Sequence, residues 1–433
     1  MTDFLGIPPA REVRGEVRVP SSKSATNRAL LLAALSETPV EIVRPLESDD
    51  TRALSRCLRA MGASFVPSER GIVVSGTLSG RGPEEVILDA ADSGTAARFL
   101  AAVASATPGR FRLTGSRRLR ERPMEELVTA LRAGGARIVA LGEDGHLPLA
   151  IEGGFLRSGE VAVDASRSSQ FVSALLIAAV AVPGGLQVAP EGSIASEPYI
   201  TQTLGTLAAF GHVVKRGAVH QIARGQTVPA RFDVPGDYSS AVPLLAAAGV
   251  VGGEVRVTGL AGDASDADAS ALPIFERMGV RIRVGPDAVV ATGSRDGLVP
   301  AEIRATDFPD SVPALAALAA FAPGESRFRG IAHLRWKESD RLLALEALLS
   351  AAGVSVSVEE DGLIVKGDPK RLRSRRGLAR LPTFRDHRIA MAAGLLSLGA
   401  PDCLLEDPGC VEKSYPEFFR DLESVALRSP AGI

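Results

Sequence analysis

Aromatic residues make up only 4% of the 433-residue chain. That is too few for the stacking platforms on which single-stranded nucleic acids bind. Lysine plus arginine (49) and aspartate plus glutamate (51) nearly cancel, leaving a net charge of −2, so overall charge gives no push toward a polyanion or a membrane surface. Three cysteines, Cys57, Cys403 and Cys410, are too few and too scattered for a disulfide framework or a zinc site, and they suit a reducing, cytoplasmic compartment. The opening stretch MTDFLGIPPAREVRGEV has no apolar core of the signal-peptide kind. The longest apolar run, FVSALLIAAVAV at 171–182, ends at Pro183-Gly184-Gly185. It is too short to span a bilayer and reads as a buried core helix. Neither G-x-G-x-x-G nor G-x-x-x-x-G-K-[ST] occurs, which removes the sequence support for dinucleotide and P-loop binding. What is present is 45% hydrophobic residue in a length sufficient for two or three domains.

One local plan recurs six times. A short strand ends in a turn of small polar residues, an Ala/Leu-rich helix follows, and a Gly-rich turn leads to another strand. The copies begin GEVRVPSSKSATNRALLLAAL, EVILDAADSGTAARFLAAVASA, GEVAVDASRSSQFVSALLIAAV, ARFDVPGDYSSAVPLLAAAGV, AEIRATDFPDSVPALAALAAF and ARLPTFRDHRIAMAAGLL. Most contain a second helix ending at glycine, a helix C-cap signal. Six units of strand, helix, strand, helix, strand imply two pseudo-threefold domains of three units each. Ser24 is the expected N-cap of the first helix, with Arg28 one turn in on the same face. The unpaired N–H groups and dipole of a helix start make it an anion site, and six converging starts would suit a small, highly anionic ligand.

Taken singly, each charged cluster has a plain reading as surface. Lys337 and Arg341 could share a helix face at i,i+4, with Glu338 and Asp340 as exposed partners. However, Lys23, Gly94, Ser168, Ser169, Asp310 and the Asp386-His387-Arg388 run fall at the same place in their units, where the strand gives way to its first helix. A shared position argues for a shared role.

The ordered set SKSATNRALLLAAL, DSGTAARFL, RRLRERPMEELVTAL, SSQFVSALL, SEPYI, WKESDRL, FRDHRIAMA and DPGCVEKSYPEFF resembles the 5-enolpyruvylshikimate-3-phosphate synthase family from about Pro20 to the last helix. The resemblance implies an α/β fold: a two-domain inverse α/β barrel, each domain of three pseudo-symmetric βαβαββ-type units with buried helices. It implies an N-terminal domain at 20–237, a C-terminal domain of 1–19 plus 238–433, and an active site in the cleft between them. The implied reaction moves the enolpyruvyl group of phosphoenolpyruvate to the 5-hydroxyl of shikimate 3-phosphate and releases phosphate, with no metal or organic cofactor. Two phosphates and two carboxylates bring about five to six negative charges, so a near-neutral chain must gather cations locally.

By resemblance, Lys23, Gly94, Arg122, Arg341, Arg388 and Lys413 bind phosphoenolpyruvate, arginine forks matching its oxygens and Gly94 leaving room for the ligand. Shikimate 3-phosphate is matched to Lys23, Ser24, Arg28, Ser168 and Ser169, and further to Gln170, Ser196, Asp310 and Lys337. Lys23 would lie between both substrates. Asp310 is the expected base at the 5-hydroxyl and Glu338 the expected acid at the methylene carbon; His387 orients a carboxylate, shuttles a proton, or simply caps its helix.

The expected partners are these two small molecules, with no nucleic acid or membrane, for a monomer in the cytoplasm. Asp92, His333 and Glu197 depart from the family's usual residues, Asp92 adding a carboxylate near an anionic ligand. Gly94 leaves sensitivity to the herbicide glyphosate open. Two rivals stand beside this reading. A transferase acting on a UDP-linked amino sugar would carry Lys-Asn where Lys23-Ser24 stands, and a non-catalytic phosphate-binding scaffold would have lost Asp310 and Glu338.

Overall fold

A computed structural model describes residues 3–80, 84–225, 227–260 and 266–428. The chain divides into two compact units, one of Ser21–Pro235 and the other of Met1–Pro20 with Gly236–Ile433.

Within Ser21–Pro235 three helices, Lys23–Ala34, Gly94–Ala106 and Ser169–Ala178, pack on one another. The second and third are largely apolar and the first becomes apolar from Ala29 onward, and an apolar helix is stable only when it is covered on every side. Only Ser24, Thr95 and Gln170 escape full burial, and each is the second residue of its helix. Three four-stranded sheets lie outside the helices, each a parallel pair extended by an antiparallel hairpin. Val86–Asp89 runs parallel to Gly109–Thr114, and Gly159–Asp164 to Leu186–Glu191. In both pairs the crossover that parallel strands require is the buried helix between them.

The other unit repeats the plan with Tyr238–Val251, Val312–Ala319 and His387–Gly399. Every residue of these three helices is buried, and they too pack on one another. The second helices close as their glycines predict. Gly62, Gly135, Gly211, Gly279 and Gly353 all have φ between 78° and 104°. In each case the next residue's N–H returns to a carbonyl five residues back, as in Ala63 to Leu58 and Val354 to Leu349. That is the Schellman closure, which a Cβ opposes.

The repeat plan read from the sequence misplaces two strands. Glu12–Arg18 precedes the Lys23 helix in the chain but pairs in parallel with Gly253–Thr258. The strand completing the Lys23 unit is Arg231–Asp233, parallel to Val40–Val43. The two units therefore exchange one strand each relative to the repeat plan: Arg231–Asp233 closes the pair with Val40–Val43, and Glu12–Arg18 closes the pair with Gly253–Thr258. Adjacency in the chain cannot reveal such an exchange, because a strand is indifferent to which parallel neighbour supplies its hydrogen bonds.

Candidate functional site

In the Ser21–Pro235 unit the expected ligand residues gather at the three helix starts. Ser22, not Ser24, caps the first: its backbone is extended and its hydroxyl accepts the Ala25 N–H at 3.3 Å. Ser24 falls in the first turn, where its carbonyl accepts from Arg28 Nη1 at 3.0 Å. Lys23 Nζ lies 3.3 Å from Asp50 Oδ2, with side-chain exposures of 10% and 3%. A lysine is tolerated at this depth because a carboxylate meets it. Asp50 stands in the first turn of the Asp49–Ala60 helix, which a Ser48–Thr51 capping box opens. The buried Arg28 donates to Thr203 Oγ1 at 2.7 Å and Tyr199 O at 3.1 Å, and lies 5.3 Å from the centre of the Phe99 ring.

At the second start Ser93 caps through the Ala96 N–H. A Cβ on Gly94 would come within 2.6 Å of both terminal nitrogens of Arg122 and of Nη1 of Arg98. Gly94 and Arg122 thus meet, and the group that excludes a side chain at 94 is a pair of guanidinium ions rather than a ligand alone. Arg98, which the sequence reading passed over, donates to Gly94 O at 3.1 Å and Pro123 O at 2.9 Å. It fastens the helix start to the segment carrying Arg122. Asp92 accepts the Ser116 hydroxyl.

Ser168 caps the third start through the Gln170 N–H. Gln170 Nε2 reaches Thr95 Oγ1 at 3.2 Å, joining the third start to the second. Arg167, beside Ser168, pairs with Glu126 at 3.1 Å. Ser169 and Ser196 are buried. Ser196 holds a left-handed backbone, φ 60° and ψ 46°, a conformation that non-glycine residues keep only where the surroundings impose it.

In the other unit the centre is Arg341, fully buried. Its Nη1 binds Asp310 Oδ1 at 2.8 Å, its Nη2 binds Glu338 Oε2 at 2.9 Å, and its Nε binds Asp386 Oδ2 at 2.9 Å. Burial works against this charge, but Asp386, Glu338 and Asp310 outweigh it and hold the guanidinium proton far more tightly than usual. Arg388, also buried, lies 3.7 Å from the other Asp310 oxygen and donates to the Ser239 carbonyl at 2.9 Å. Its own proton affinity is raised against the cost of burial by Asp310, Asp237 and Asp268. Asp310 therefore sits between two guanidinium groups.

The helix begins only at Arg341, with Asp340 as its cap. Lys337 and Arg341 thus do not share a helix face, and Glu338 is mostly covered rather than a surface partner. His387 is not the cap of its helix. Asp386 is, accepting the Arg388 N–H at 2.9 Å, while buried His387 Nδ1 stays 3.7 Å from Asp386. Lys413 is buried at the end of the Pro408–Lys413 turn, which packs on the His387–Gly399 helix. His333 is buried, and burial followed by the Lys337 charge lowers its pKa to about 3. Among the described residues no group of three or more His, Cys, Asp or Glu side chains is arranged to hold a metal ion, and no helix is long and apolar enough to cross a membrane.

A model of the EPSP synthase (3-phosphoshikimate 1-carboxyvinyltransferase) family matches residues 7–422. The chain belongs to this family. Among its relatives, the 3-phosphoshikimate 1-carboxyvinyltransferase of Thermococcus kodakarensis is 42% identical over 96% of this chain and 98% of the relative. That of Edwardsiella ictaluri is 37% identical over 98% and 99%. The EPSP synthase structure from Acinetobacter baumannii superposes with a TM-score of 0.78 at 26% identity, covering 99% of both chains. The enolpyruvyl transferase NikO from Streptomyces tendae shares the fold, with a TM-score of 0.78 at 22% identity, covering 98% of this chain and 97% of NikO. The fold is thus the two-domain inverted α/β barrel, built among the described residues from six separate sheets.

For this member of the EPSP synthase family the sequence missed Asp50 and Arg98. Arg98 had a readable signal: in both the first and second repeats an arginine one turn into the helix returns its guanidinium to the carbonyl four residues earlier. Asp50 had none, because its partner lies 27 residues away across a helix packing that only the fold defines.

Proposed function

We propose that the protein transfers the enolpyruvyl group of phosphoenolpyruvate to the 5-hydroxyl of shikimate 3-phosphate, releasing phosphate, in the biosynthesis of aromatic amino acids. One observation carries the assignment of residues: Asp310 and Glu338, the two carboxylates a proton-transferring addition needs, are held on adjacent nitrogens of one buried guanidinium. A fixed pair of carboxylates with different neighbours can occupy opposite protonation states. Asp310 takes the proton of the 5-hydroxyl as its oxygen bonds to C2 of phosphoenolpyruvate, and Glu338 delivers a proton to the methylene carbon. Loss of a proton from the resulting methyl group, with cleavage of the C2–O bond to phosphate, restores the double bond.

In this reading Lys23, Gly94 and Arg122, with Arg341, Arg388 and Lys413, receive phosphoenolpyruvate. Ser24, Arg28, Ser168, Ser169, Gln170 and Ser196, with Asp310 and Lys337, receive shikimate 3-phosphate, and Lys23 serves both. Rigid placement of reacting groups supplies much of the acceleration, and the buried caps and pairs around these side chains supply rigidity. His387, held beside Asp386, orients that carboxylate. The enzyme acts as a cytoplasmic monomer.

The test is phosphate release with purified protein. Phosphoenolpyruvate and shikimate 3-phosphate together should release phosphate, and a UDP-linked amino sugar in place of shikimate 3-phosphate should not. Release with the amino sugar alone would transfer the assignment to that rival, and release with neither would leave the scaffold reading. Lys23→Ala should keep the fold and lose turnover by orders of magnitude.

A further inference from the structure

Asn27 is wholly buried in the Lys23–Ala34 helix, and neither its Oδ1 nor its Nδ2 has a hydrogen-bond partner in the protein. An amide in that position costs folding free energy unless something satisfies it, and an apolar residue of its size would be cheaper. Its position suggests what the amide serves. It follows Lys23 by four residues, so the two side chains occupy one face of the helix. Helical side chains lean toward the N-terminus, which carries the Asn27 amide toward the turn that bears Lys23. On that face Lys23 meets Asp50 at 3.3 Å, and the helix carrying Asp50 packs on the helix carrying both.

We propose that Asn27 is a positioning residue for Lys23, its amide holding the lysine side chain in place against Asp50 through buried water. A buried water characteristically joins two to four otherwise unmet polar groups, and the Asn27 amide offers two donors and an acceptor on the face where a three-donor ammonium and a carboxylate already meet. Asn27 touches no substrate. It limits the rotation of a flexible four-carbon side chain whose charge must lie between two phosphorylated substrates. This role rests on the proposed enolpyruvyl transfer.

The decisive variant is Asn27→Leu, which keeps the branched skeleton of asparagine but carries no polar atoms. The melting temperature is expected to hold or rise, kcat to fall at least tenfold, and KM for each substrate to stay within threefold. A misplaced lysine damages the transition state more than ground-state binding. The chain has only six lysines, so nitrogen-15 lysine labelling with a Lys23→Met control assigns the Lys23 ammonium signal. That signal is expected to be sharp in the native protein and lost to rapid solvent exchange in Asn27→Leu. Asn27→Ser, which keeps a hydroxyl and leaves space for water, should recover part of both.

Native kcat together with a native Lys23 signal in Asn27→Leu would overturn the proposal. If Asn27→Leu does not fold, Asn27→Ala and Asn27→Ser replace it: a higher kcat and sharper Lys23 signal in the serine variant support the role, and equal values overturn it. If the native protein releases no phosphate from the two substrates, the functional reading fails, and the lysine signal alone then decides whether Asn27 holds Lys23.

Discussion

Gly94→Ala puts the geometry of the first unit to a quantitative test. The new methyl would lie 2.6 Å from Nη1 and Nη2 of Arg122 and from Nη1 of Arg98, where ordinary contact begins at 3.4 Å. Something must retreat by about 0.8 Å. Both arginines must give way, Arg98 against its bonds to the Gly94 and Pro123 carbonyls at 3.1 and 2.9 Å, and Arg122 with it. A displacement of that size removes one arm of a bidentate guanidinium–anion contact. A hydrogen bond to a charged group contributes about 1.5–3 kcal/mol, which converts to roughly 10- to 150-fold in apparent affinity for phosphoenolpyruvate. Initial rates of phosphate release with phosphoenolpyruvate varied at saturating shikimate 3-phosphate should show KM for phosphoenolpyruvate raised by that factor. KM for shikimate 3-phosphate should change far less, and the melting temperature by only a few degrees. An unchanged KM for phosphoenolpyruvate in a folded variant would show that Arg122 does not hold that substrate from this position.

Three further outcomes follow from other contacts. Arg341→Met leaves Asp310, Glu338 and Asp386 without their common cation; the loss should be about 3–5 kcal/mol in denaturant unfolding, and a variant as stable as the native protein would refute the account of the cluster. His333 and His212 are both buried, with pKa values lowered by burial to about 3 and about 4. The folded protein therefore keeps them neutral while the unfolded chain takes up protons below about 6.5, so stability is full above that value and falls as pH drops toward the folded pKa. Each should account for about 2 kcal/mol of the loss between pH 7 and pH 5. His212→Asn and His333→Asn should each shrink that loss when unfolding is measured at both pH values, and an unaltered difference would count against neutral burial. Arg167→Met and Glu126→Gln each break the 3.1 Å pair that joins the Ser168 turn to the helix following Arg122. Because Arg167 is partly exposed, a double-mutant cycle on KM for shikimate 3-phosphate should show a coupling of about 0.2–1 kcal/mol, and strict additivity would show that the pair carries no information between the two segments.

The positions of the helix starts were legible because each combines two local signals, a small polar cap and an apolar run, that need no tertiary context. The left-handed glycines closing the second helices were legible for the same reason. Asp50 was not, since its significance depends on a helix packing that brings it 3.3 Å from Lys23. The shift of the cap from Ser24 to Ser22 turns on a backbone angle that three neighbouring serines leave undetermined. Glu338 and Asp340 read as surface charges from spacing alone. The loop at 337–340 stays out of the helix, and Arg341, entering the interior as its first residue, draws Glu338 with it.

The same arrangement explains how a chain of net charge −2 can place cations where anions must bind. Each central helix is covered by protein along its length, so its uncompensated N–H groups are concentrated at one end. A buried cation placed there is costly alone, and the fold offsets this with carboxylates drawn from neighbouring segments: Asp50 for Lys23, and Asp310, Glu338 and Asp386 for Arg341. These carboxylates hold long, flexible side chains in single orientations, and two of them are the groups to which the proposed mechanism assigns the protons. Neutral overall charge and a locally cationic site are thus compatible, because each cation is buried together with the partner that keeps it in place.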